Sequence, residues 1–520
     1  MELGNARSNK RLAFNMVANL VSLLITHGIS FFLSPYIVAR IGVDAYGFVG
    51  LANNFVSYAT LITIALNALA GRTITVKIYE NDQEGANRYF TSVLFANGFI
   101  AGILLLVLSG LWLYLDSLIN IPKNILVDVK ILFAAVFFSC IINTVGSVFS
   151  VATYATNKLY LNSLRSVEAS VGRAIILAVL FVFCVPKVFY LGVTATAMAI
   201  YTLAFNMYYT GKLLPFIQIR KQYFSIGAVK ELVLSGVWAL VIRLGQLLLD
   251  GLDLLISNLL INPVAMGVLS VAKTIPMIIS SIVGSVVGVF SPNFTILYAQ
   301  KKSDELLREV KRAMKIMGII VNLPIVVLIV CGKDFFTLWQ PTQNASQLQW
   351  LSFYTCCTLI FSGGINCLYD LFIVVNRIKE NAIAVLTGGL ISVLITFTLL
   401  KTTNLGIFAI AATSSVVSIF RNIFFTAPFG AKCLGKKWYA FYPEVFRPVL
   451  FDAVSVGIGY AATVLLTSVS WPMLVVKGGI VGAISFVFGF FIILNREDRQ
   501  LIKNKLRRVR TKADNNGGEE

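Results

Sequence analysis

Residues 238–258, WALVIRLGQLLLDGLDLLISN, are apolar enough to lie in a bilayer, yet they carry charged side chains. The polar positions follow one another at intervals of 3, 4 and 3 residues: Arg243, Gln246, Asp250 and Asp253. Because helical residues three or four apart lie on one face, this spacing predicts a polar stripe along an otherwise apolar helix. An ionised side chain in the membrane costs on the order of 3 kcal/mol, so the stripe should face protein or water.

A second cation, Lys273, lies in the next apolar segment, and no acidic residue nearby in sequence is an obvious partner for it. Two cations near the middle of the membrane, Arg243 and Lys273, predict a hydrated cavity for an anionic group. The alternative is structural: either Arg243 only pairs with Asp250 across two helical turns, or Lys273 extends outward towards an interface. Asp253 lies near the outer end of its segment, where we expect an interfacial or gating role.

The elements that must position these residues are membrane helices. The chain has 520 residues, of which 57% are hydrophobic and 13% charged, whereas a soluble domain carries about twice that charged share. Fourteen apolar runs are long enough to cross a hydrocarbon core of about 30 Å. The predicted fold is an all-α polytopic membrane protein with about 14 transmembrane helices.

The formal net charge of +19 reflects topology rather than a nucleic-acid partner. With an even number of spans both chain ends lie on one side, and the predicted loops on that side hold most of the 43 Lys and Arg residues. The loops of the opposite side hold only a few: Arg40, Lys123, Lys187, Lys333, Lys401 and Lys477. Since basic loops stay in the cytoplasm during insertion, both termini are predicted to be cytoplasmic. We therefore predict a multi-pass protein of the inner (cytoplasmic) cell membrane.

The sequence also predicts an internal repeat, because IGVDAYGFVGLANNF at 41–55 resembles INPVAMGVLSVAKTI at 261–275. Weaker matches follow in the same order at nearly the same offset, which predicts two six-helix halves, 12–212 and 233–427. Parallel repeats of this kind are typical of transporters, with the substrate site between them, although a duplicated scaffold without transport is an alternative. Three remaining segments are predicted to be cytoplasmic: the N-terminus at 1–11, a connector at 213–232 and a loop at 428–449. A C-terminal helix pair is predicted at 450–494, and a basic amphipathic cytoplasmic tail at 495–520.

Two further residues are candidates for a functional role. Asn53 is the repeat counterpart of Lys273 and is predicted to face the same cavity without charge. His27, the single histidine, lies in the first apolar segment, where it either couples transport to an ion or bonds a neighbouring backbone group. A lone histidine cannot form a two-histidine metal site, and the chain has no GxxxxGK[ST] loop, so we expect no metal and no ATP-driven mechanism.

Several segments together carry a resemblance to a known family. They are SPYIVARIGVDAYGFVGLANNF (34–55), its echo at 261–275, the loops TNK (156–158) and VNR (375–377), and the helix starts YLGVTATAMA (190–199) and NLGIFAIAAT (404–413). This pattern, spread over almost the whole chain, resembles the polysaccharide flippases of the multidrug/oligosaccharidyl-lipid/polysaccharide exporter superfamily. Proteins of that group move undecaprenyl-diphosphate-linked oligosaccharides from the inner to the outer leaflet for O-antigen, capsule or related glycans.

The resemblance implies a flippase that works by alternating access, without catalytic residues or cofactors. Arg243 and Lys273 match the expected cavity cations, and the same cavity would include Gln246, Asp250 and Asn53. The first helix offers His27 where the lipid II flippases have an arginine, which favours a polysaccharide repeat unit over lipid II. Expected partners are the lipid-linked saccharide, membrane lipids, and the glycosyltransferases and polymerase of the same pathway.

Two other functions remain open from the sequence. A small-molecule or multidrug antiporter of the same superfamily should bind soluble cations through acidic cavity residues and normally has twelve helices. A membrane glycosyltransferase or polysaccharide polymerase should extend the glycan instead of moving it. The sequence has no long outer loop to house a glycosyl-transfer site.

Overall fold

The computed structural model describes residues 2–464, 466 and 470–500. Within this part of the chain the regular structure is helical throughout, and fourteen helical segments are long and apolar enough to cross a membrane, which confirms the predicted fold class. We number them α1 to α14 in chain order: Val17–Ile41, Val43–Tyr79, Gln83–Leu113, Lys123–Ala155, Leu159–Phe183, Phe189–Leu213, Ile226–Gly251, Thr274–Ala299, Ser303–Trp339, Ala345–Val374, Ile378–Thr402, Ile407–Cys433, Tyr442–Thr463 and Trp471–Ile492.

Polar side chains mark where several helices begin. The carboxylate of Asp82 accepts a hydrogen bond from the Gly85 amide at the start of α3, at 2.8 Å. The side chain of Asn344 accepts one from the Gln347 amide at the start of α10, at 3.0 Å. These N-caps satisfy amide groups that have no partner within their own helix. In a bilayer such partners matter more, because lipid offers none.

Several boundaries differ from those predicted. The helix that contains α1 begins at Glu2, inside the predicted N-terminal segment, and α7 begins at Ile226, inside the predicted connector. The eighth apolar run consists of a short helix, Pro263–Ala272, followed after Lys273 by α8. The predicted apolar face of the tail, Leu501, Ile502, Leu506 and Val509, lies outside the described residues.

The helices pack into two compact units. The first unit comprises the residues up to Thr274 together with Ala382–Ser414. Its core brings α2, α3, α4 and α7 together through buried apolar side chains that include Leu66, Phe90, Phe149 and Leu232. This unit contains every residue predicted to bind substrate.

The second unit comprises Ile275–Asn381 and the described residues from Ser415 onwards. Its core joins α9 to the C-terminal helix pair through Val326 of α9, Phe451 of α13 and Val481 of α14. The C-terminal pair α13 and α14 is therefore an integral part of this unit. The repeat of residues 12–212 in residues 233–427 stays a prediction.

Candidate functional site

Helix α7 changes its hydrogen-bonding pattern where it reaches the predicted polar stripe. Residues Ile226–Gln246 form a regular α-helix, and Leu247–Gly251 form a π-helical turn before a further short helix begins at Asp253. A π-turn inserts one residue into a helix and leaves backbone groups that need other partners, and such turns are frequent at functional sites.

Side chains from outside α7 bond the carbonyl groups at the end of this turn. The Gly251 carbonyl accepts hydrogen bonds from the Asn54 amide at 2.9 Å and from the Tyr58 hydroxyl at 2.7 Å. The Asp250 carbonyl accepts one from the Lys273 ammonium at 2.8 Å. The π-turn is thus fixed by donors from α2 and from the residue that precedes α8.

Lys273 also forms an ion pair. Its Nζ lies 2.7 Å from Oδ2 of Asp253, and the two side chains are only 14% and 8% exposed. The sequence showed no obvious acidic partner close to Lys273 along the chain; the structure supplies one 20 residues earlier, across the break between two short helices. Both charged groups are buried and have lost hydration. The electrostatic attraction between them compensates for that loss.

Close packing of two helices brings Lys273 to this position. Gly47 of α2 and Gly267 of the Pro263–Ala272 helix meet backbone to backbone, so that a Cβ on Gly47 would lie 2.7 Å from the Gly267 Cα. A Cβ on Gly267 would lie 2.1 Å from the Val43 carbonyl oxygen. Small residues are typical of such approaches between membrane helices. These glycines belong to the two segments whose resemblance suggested the repeat.

The π-turn divides the predicted polar stripe. Arg243, Gln246 and Asp250 are exposed, whereas Asp253 is buried. One inserted residue rotates everything that follows by about 100°, since an α-helix has 3.6 residues per turn. The prediction that all four residues share one face is wrong for Asp253, which turns towards Lys273 instead.

Arg243 is the exposed cation of this region. Its Nη1 donates to Oε1 of Gln246 at 3.4 Å, one turn further along α7. The carboxylate of Asp250 lies within electrostatic range of the Lys273 ammonium. The region thus holds two cations and two carboxylates, and its formal charge is balanced.

On α2, a neighbour of the predicted Asn53 is bonded to the π-turn. Asn53 is exposed, and its amide donates to the Val49 carbonyl of its own helix at 2.9 Å. Asn54 and Tyr58, which the sequence analysis missed, reach the π-turn. They follow Gly47 and Gly50 at helical intervals of 3 and 4 residues, so a search for small and polar residues on one face of α2 could have found them.

His27 is not brought to this cluster. It is partly buried on α1, which packs along α5. Next to it, the Thr26 hydroxyl accepts a hydrogen bond from Ser170 at 3.1 Å, and Ser22 donates to the Ser163 carbonyl at 3.0 Å. The groups bonded to Lys273 lie instead near the end of α7 and just beyond it: the Asp250 carbonyl and the Asp253 carboxylate.

The exposed side chains of this arrangement suit recognition of an anion. An exposed guanidinium beside a side-chain amide can grip a carboxylate or phosphate with two parallel hydrogen bonds. Within the described ranges, no group of three or more His, Cys, Asp or Glu side chains is placed to hold a metal ion. Arg243 and Gln246 are therefore the candidate ligands for the substrate's charged group.

Comparison with known proteins points to polysaccharide assembly. Residues 12–298 match the family described as polysaccharide biosynthesis protein. The chain is also 28% identical, over 502 residues, to the uncharacterized membrane protein EpsK of Bacillus subtilis (strain 168), and the match covers 96% of this chain and 99% of that protein.

Solved structures of transporters share the fold. An inward-facing multidrug resistance MATE family transporter of the MOP superfamily superposes with a TM-score of 0.63 at 14% identity, covering 81% of this chain and 98% of that one. The lipid II flippase MurJ in an inward closed conformation gives 0.60 at 13% identity, covering 92% and 98%. The chain therefore belongs to the polysaccharide biosynthesis protein family, and its fold is the one found in the MurJ and MATE transporters.

Proposed function

We propose that this protein is a flippase that moves a polyprenyl-diphosphate-linked oligosaccharide across the cytoplasmic membrane by alternating access, for surface polysaccharide biosynthesis. The observation that carries the proposal is the family match over residues 12–298, on a chain with a transporter fold. The family match supports a role in polysaccharide biosynthesis, and the fold supports a role in transport. The MurJ structure covers 92% of this chain and the MATE transporter 81%, which favours the flippase architecture.

Arg243 is the proposed diphosphate ligand. A diphosphate brought into the membrane loses hydration, and only positive charge with hydrogen-bond donors can replace it. The Arg243 guanidinium is exposed and has Gln246 beside it, one turn along the helix. The sugars would occupy hydrated space, while the polyprenyl tail stays in lipid.

Lys273 has a different proposed role, because it is already paired. Its bonds to Asp253 and to the Asp250 carbonyl hold the π-turn in the conformation described here. To bind phosphate, Lys273 would have to exchange the Asp253 carboxylate for the substrate. Asp253 is then the gating partner, and the exchange links substrate binding to the shape of α7.

Both termini are proposed to lie in the cytoplasm, as the distribution of basic residues indicates. Single cysteines at Asn262 and Gln343, introduced into a cysteine-free chain, should react with a membrane-impermeant thiol reagent added to intact cells. Asn262 lies between α7 and α8, and Gln343 between α9 and α10. Labelling of one position without the other would contradict this topology.

The proposed function is tested in a cell whose surface polysaccharide depends on this protein. Arg243→Ala should abolish surface glycan while protein abundance and membrane insertion stay normal. Arg243→Lys should restore export only in part, because lysine acts as a point charge without the bidentate grip. Lys401→Ala, which removes an exposed cation elsewhere in the first unit, is the matched control and should export normally.

The alternative, in which Arg243 has only a structural role, predicts a different result. If Arg243 only balances Asp250 for folding, Arg243→Ala combined with Asp250→Ala should restore glycan export, and the ligand role of Arg243 would be wrong. Transport of a free drug by the purified protein would support the antiporter, and lengthening of lipid-linked glycan would support a polymerase. Either result would overturn the flippase proposal.

A further inference from the structure

A group of polar atoms without partners is buried in the second unit. Asp452 of α13 is 5% exposed and Asn322 of α9 is fully buried. Among the described residues, neither carboxylate oxygen of Asp452 and neither amide atom of Asn322 has a hydrogen-bond partner. The hydroxyl of Ser455, one turn beyond Asp452, is also without one. Buried polar groups are nearly always bonded, so this group needs an explanation.

The packing of α9 against α13 places Asn322 and Asp452 at the same level. A Cβ on Gly318 of α9 would lie 3.1 Å from the Pro448 ring of α13, and a Cβ on Gly459 would lie 3.6 Å from Val330. These two contacts show that the helices run side by side in the same direction. Asn322 and Asp452 each lie four residues beyond the first contact pair, on the faces that meet.

The chemistry of the two side chains favours a neutral acid. An ionised carboxylate only accepts hydrogen bonds, so it could use the Asn322 amide hydrogens but would leave the amide oxygen unpaired. A protonated Asp452 can donate its O–H to Asn322 Oδ1 and accept from Nδ2 at its other oxygen. The two side chains are not bonded to each other in the structure described here, but this pairing would give all four atoms a partner and avoid the cost of burying an unpaired charge.

The other titratable groups on the helices packed against α13 leave Asp452 without a charge partner. The Cys356 thiol of α10 lies within electrostatic range of it. Three cations of α9 and α14 are paired with other carboxylates: Lys315 with Asp498 at 2.8 Å, Lys311 with Glu444 at 3.7 Å and Lys477 with Asp334 at 2.8 Å. The remaining titratable groups on these helices interact with residues other than Asp452. Arg447 bonds Asn495, Cys331 lies near Lys477, and Cys357 bonds the Tyr354 carbonyl. Asp370 faces Ser291, and Cys367 lies near Asp370.

We propose that Asp452 is a proton-binding site of the second unit, in which the neutral carboxyl pairs with Asn322. We further infer that Asp452 takes up and releases this proton once in each transport cycle; this second statement rests on the proposed function. The Ser455 hydroxyl, three residues further along α13, is a second buried donor without a partner.

Infrared spectroscopy of the purified protein in phospholipid nanodiscs tests the proton site without any substrate. The spectrum of the wild type minus that of Asp452→Asn should contain the C=O band of a protonated carboxylic acid, which disappears as the pH is raised. Asn322→Leu should shift this band to higher wavenumber, because the acid loses its hydrogen-bond partner. Asp334→Asn, which removes a carboxylate paired with Lys477 in the same unit, should leave the band unchanged.

Three results would overturn the site. The band could be absent at every pH; it could persist at every pH, which would make Asp452 a permanently neutral structural group. It could also vanish when sodium replaces potassium at constant pH, which would make the ligand a sodium ion. None of these outcomes depends on the identity of the transported molecule.

Glycan export then tests the coupling. Asp452→Asn should abolish export at normal protein abundance, whereas Asp334→Asn should not. If the band titrates as expected but Asp452→Asn exports glycan at the wild-type rate, the site binds a proton without coupling it to transport. If the band titrates but the wild-type protein moves no lipid-linked saccharide, the proton site stands and the proposed function fails.

Discussion

Asp253 in the first unit and Asp452 in the second are equally buried, at 5% exposure, yet their surroundings are opposite. Asp253 is bonded to Lys273 at 2.7 Å, beside a π-turn whose carbonyl groups accept three hydrogen bonds from side chains outside α7. Asp452 has an uncharged amide at its level and, among the described residues, no hydrogen-bond partner. The same residue type at the same burial therefore serves two purposes: one carboxylate is fixed by a cation, and the other is free to change its protonation.

Removal of Lys273 should have the largest effect on the first unit. Lys273→Ala leaves the Asp253 carboxylate buried without its counter-ion, and breaking a buried pair in this way costs about 3–5 kcal/mol. We expect a lower apparent melting temperature in detergent and less folded protein on size-exclusion chromatography.

Asp253→Asn in the same chain should recover most of this loss, because it removes the uncompensated charge. If Lys273→Ala alone has the melting temperature of the wild type, the ion pair contributes little to stability. The claim that Asp253, unlike Asp452, needs a counter-ion would then be wrong.

Loss of the Tyr58 hydroxyl should have a smaller effect. Tyr58→Phe removes one of the two donors to the Gly251 carbonyl, and a hydrogen bond of this kind contributes about 0.5–1.5 kcal/mol. The melting temperature should fall by less than in Lys273→Ala. Asn53→Ala is the control, since the Asn53 amide bonds only its own helix among the described residues. Equal losses in the two variants would mean that α2 does not support the π-turn.

Asp452→Asn should have the smallest effect on stability. The substitution keeps the size of the side chain and its ability to pair with Asn322, and it cannot leave a buried charge. The melting temperature should be unchanged or slightly higher, in contrast to Lys273→Ala. A loss as large as that of Lys273→Ala would show that Asp452 is a structural carboxylate with a charged partner.

The sequence predicted the membrane architecture because it depends on local properties. Each of the fourteen spans is an apolar run longer than the bilayer requires, and such runs can be recognised without knowing what they pack against. The polar stripe of α7 could likewise be read from spacing as far as Asp250.

Beyond Asp250, the residue spacing of a regular α-helix no longer predicts which side chains share a face. The π-turn at Leu247–Gly251 inserts one residue, so that Asp253 leaves the face of Arg243 and meets Lys273. On α2, the residue that bonds the turn is Asn54, the neighbour of the predicted Asn53. Asp452 lies in an apolar run and so carried the same sequence signal as Asp250, but its packing against α9 could not be predicted from the sequence.

The most direct test of the flippase account is translocation by the purified protein in liposomes. A fluorescent polyprenyl-diphosphate-linked saccharide is placed in both leaflets, and a membrane-impermeant quencher reports how fast the inner pool reaches the outside. We predict that the wild type and Lys401→Ala translocate the probe, and that Arg243→Ala is slower by about tenfold or more, the factor that corresponds to about 1.4 kcal/mol of lost binding. Equal rates for wild-type, Arg243→Ala and protein-free liposomes would contradict the central claim.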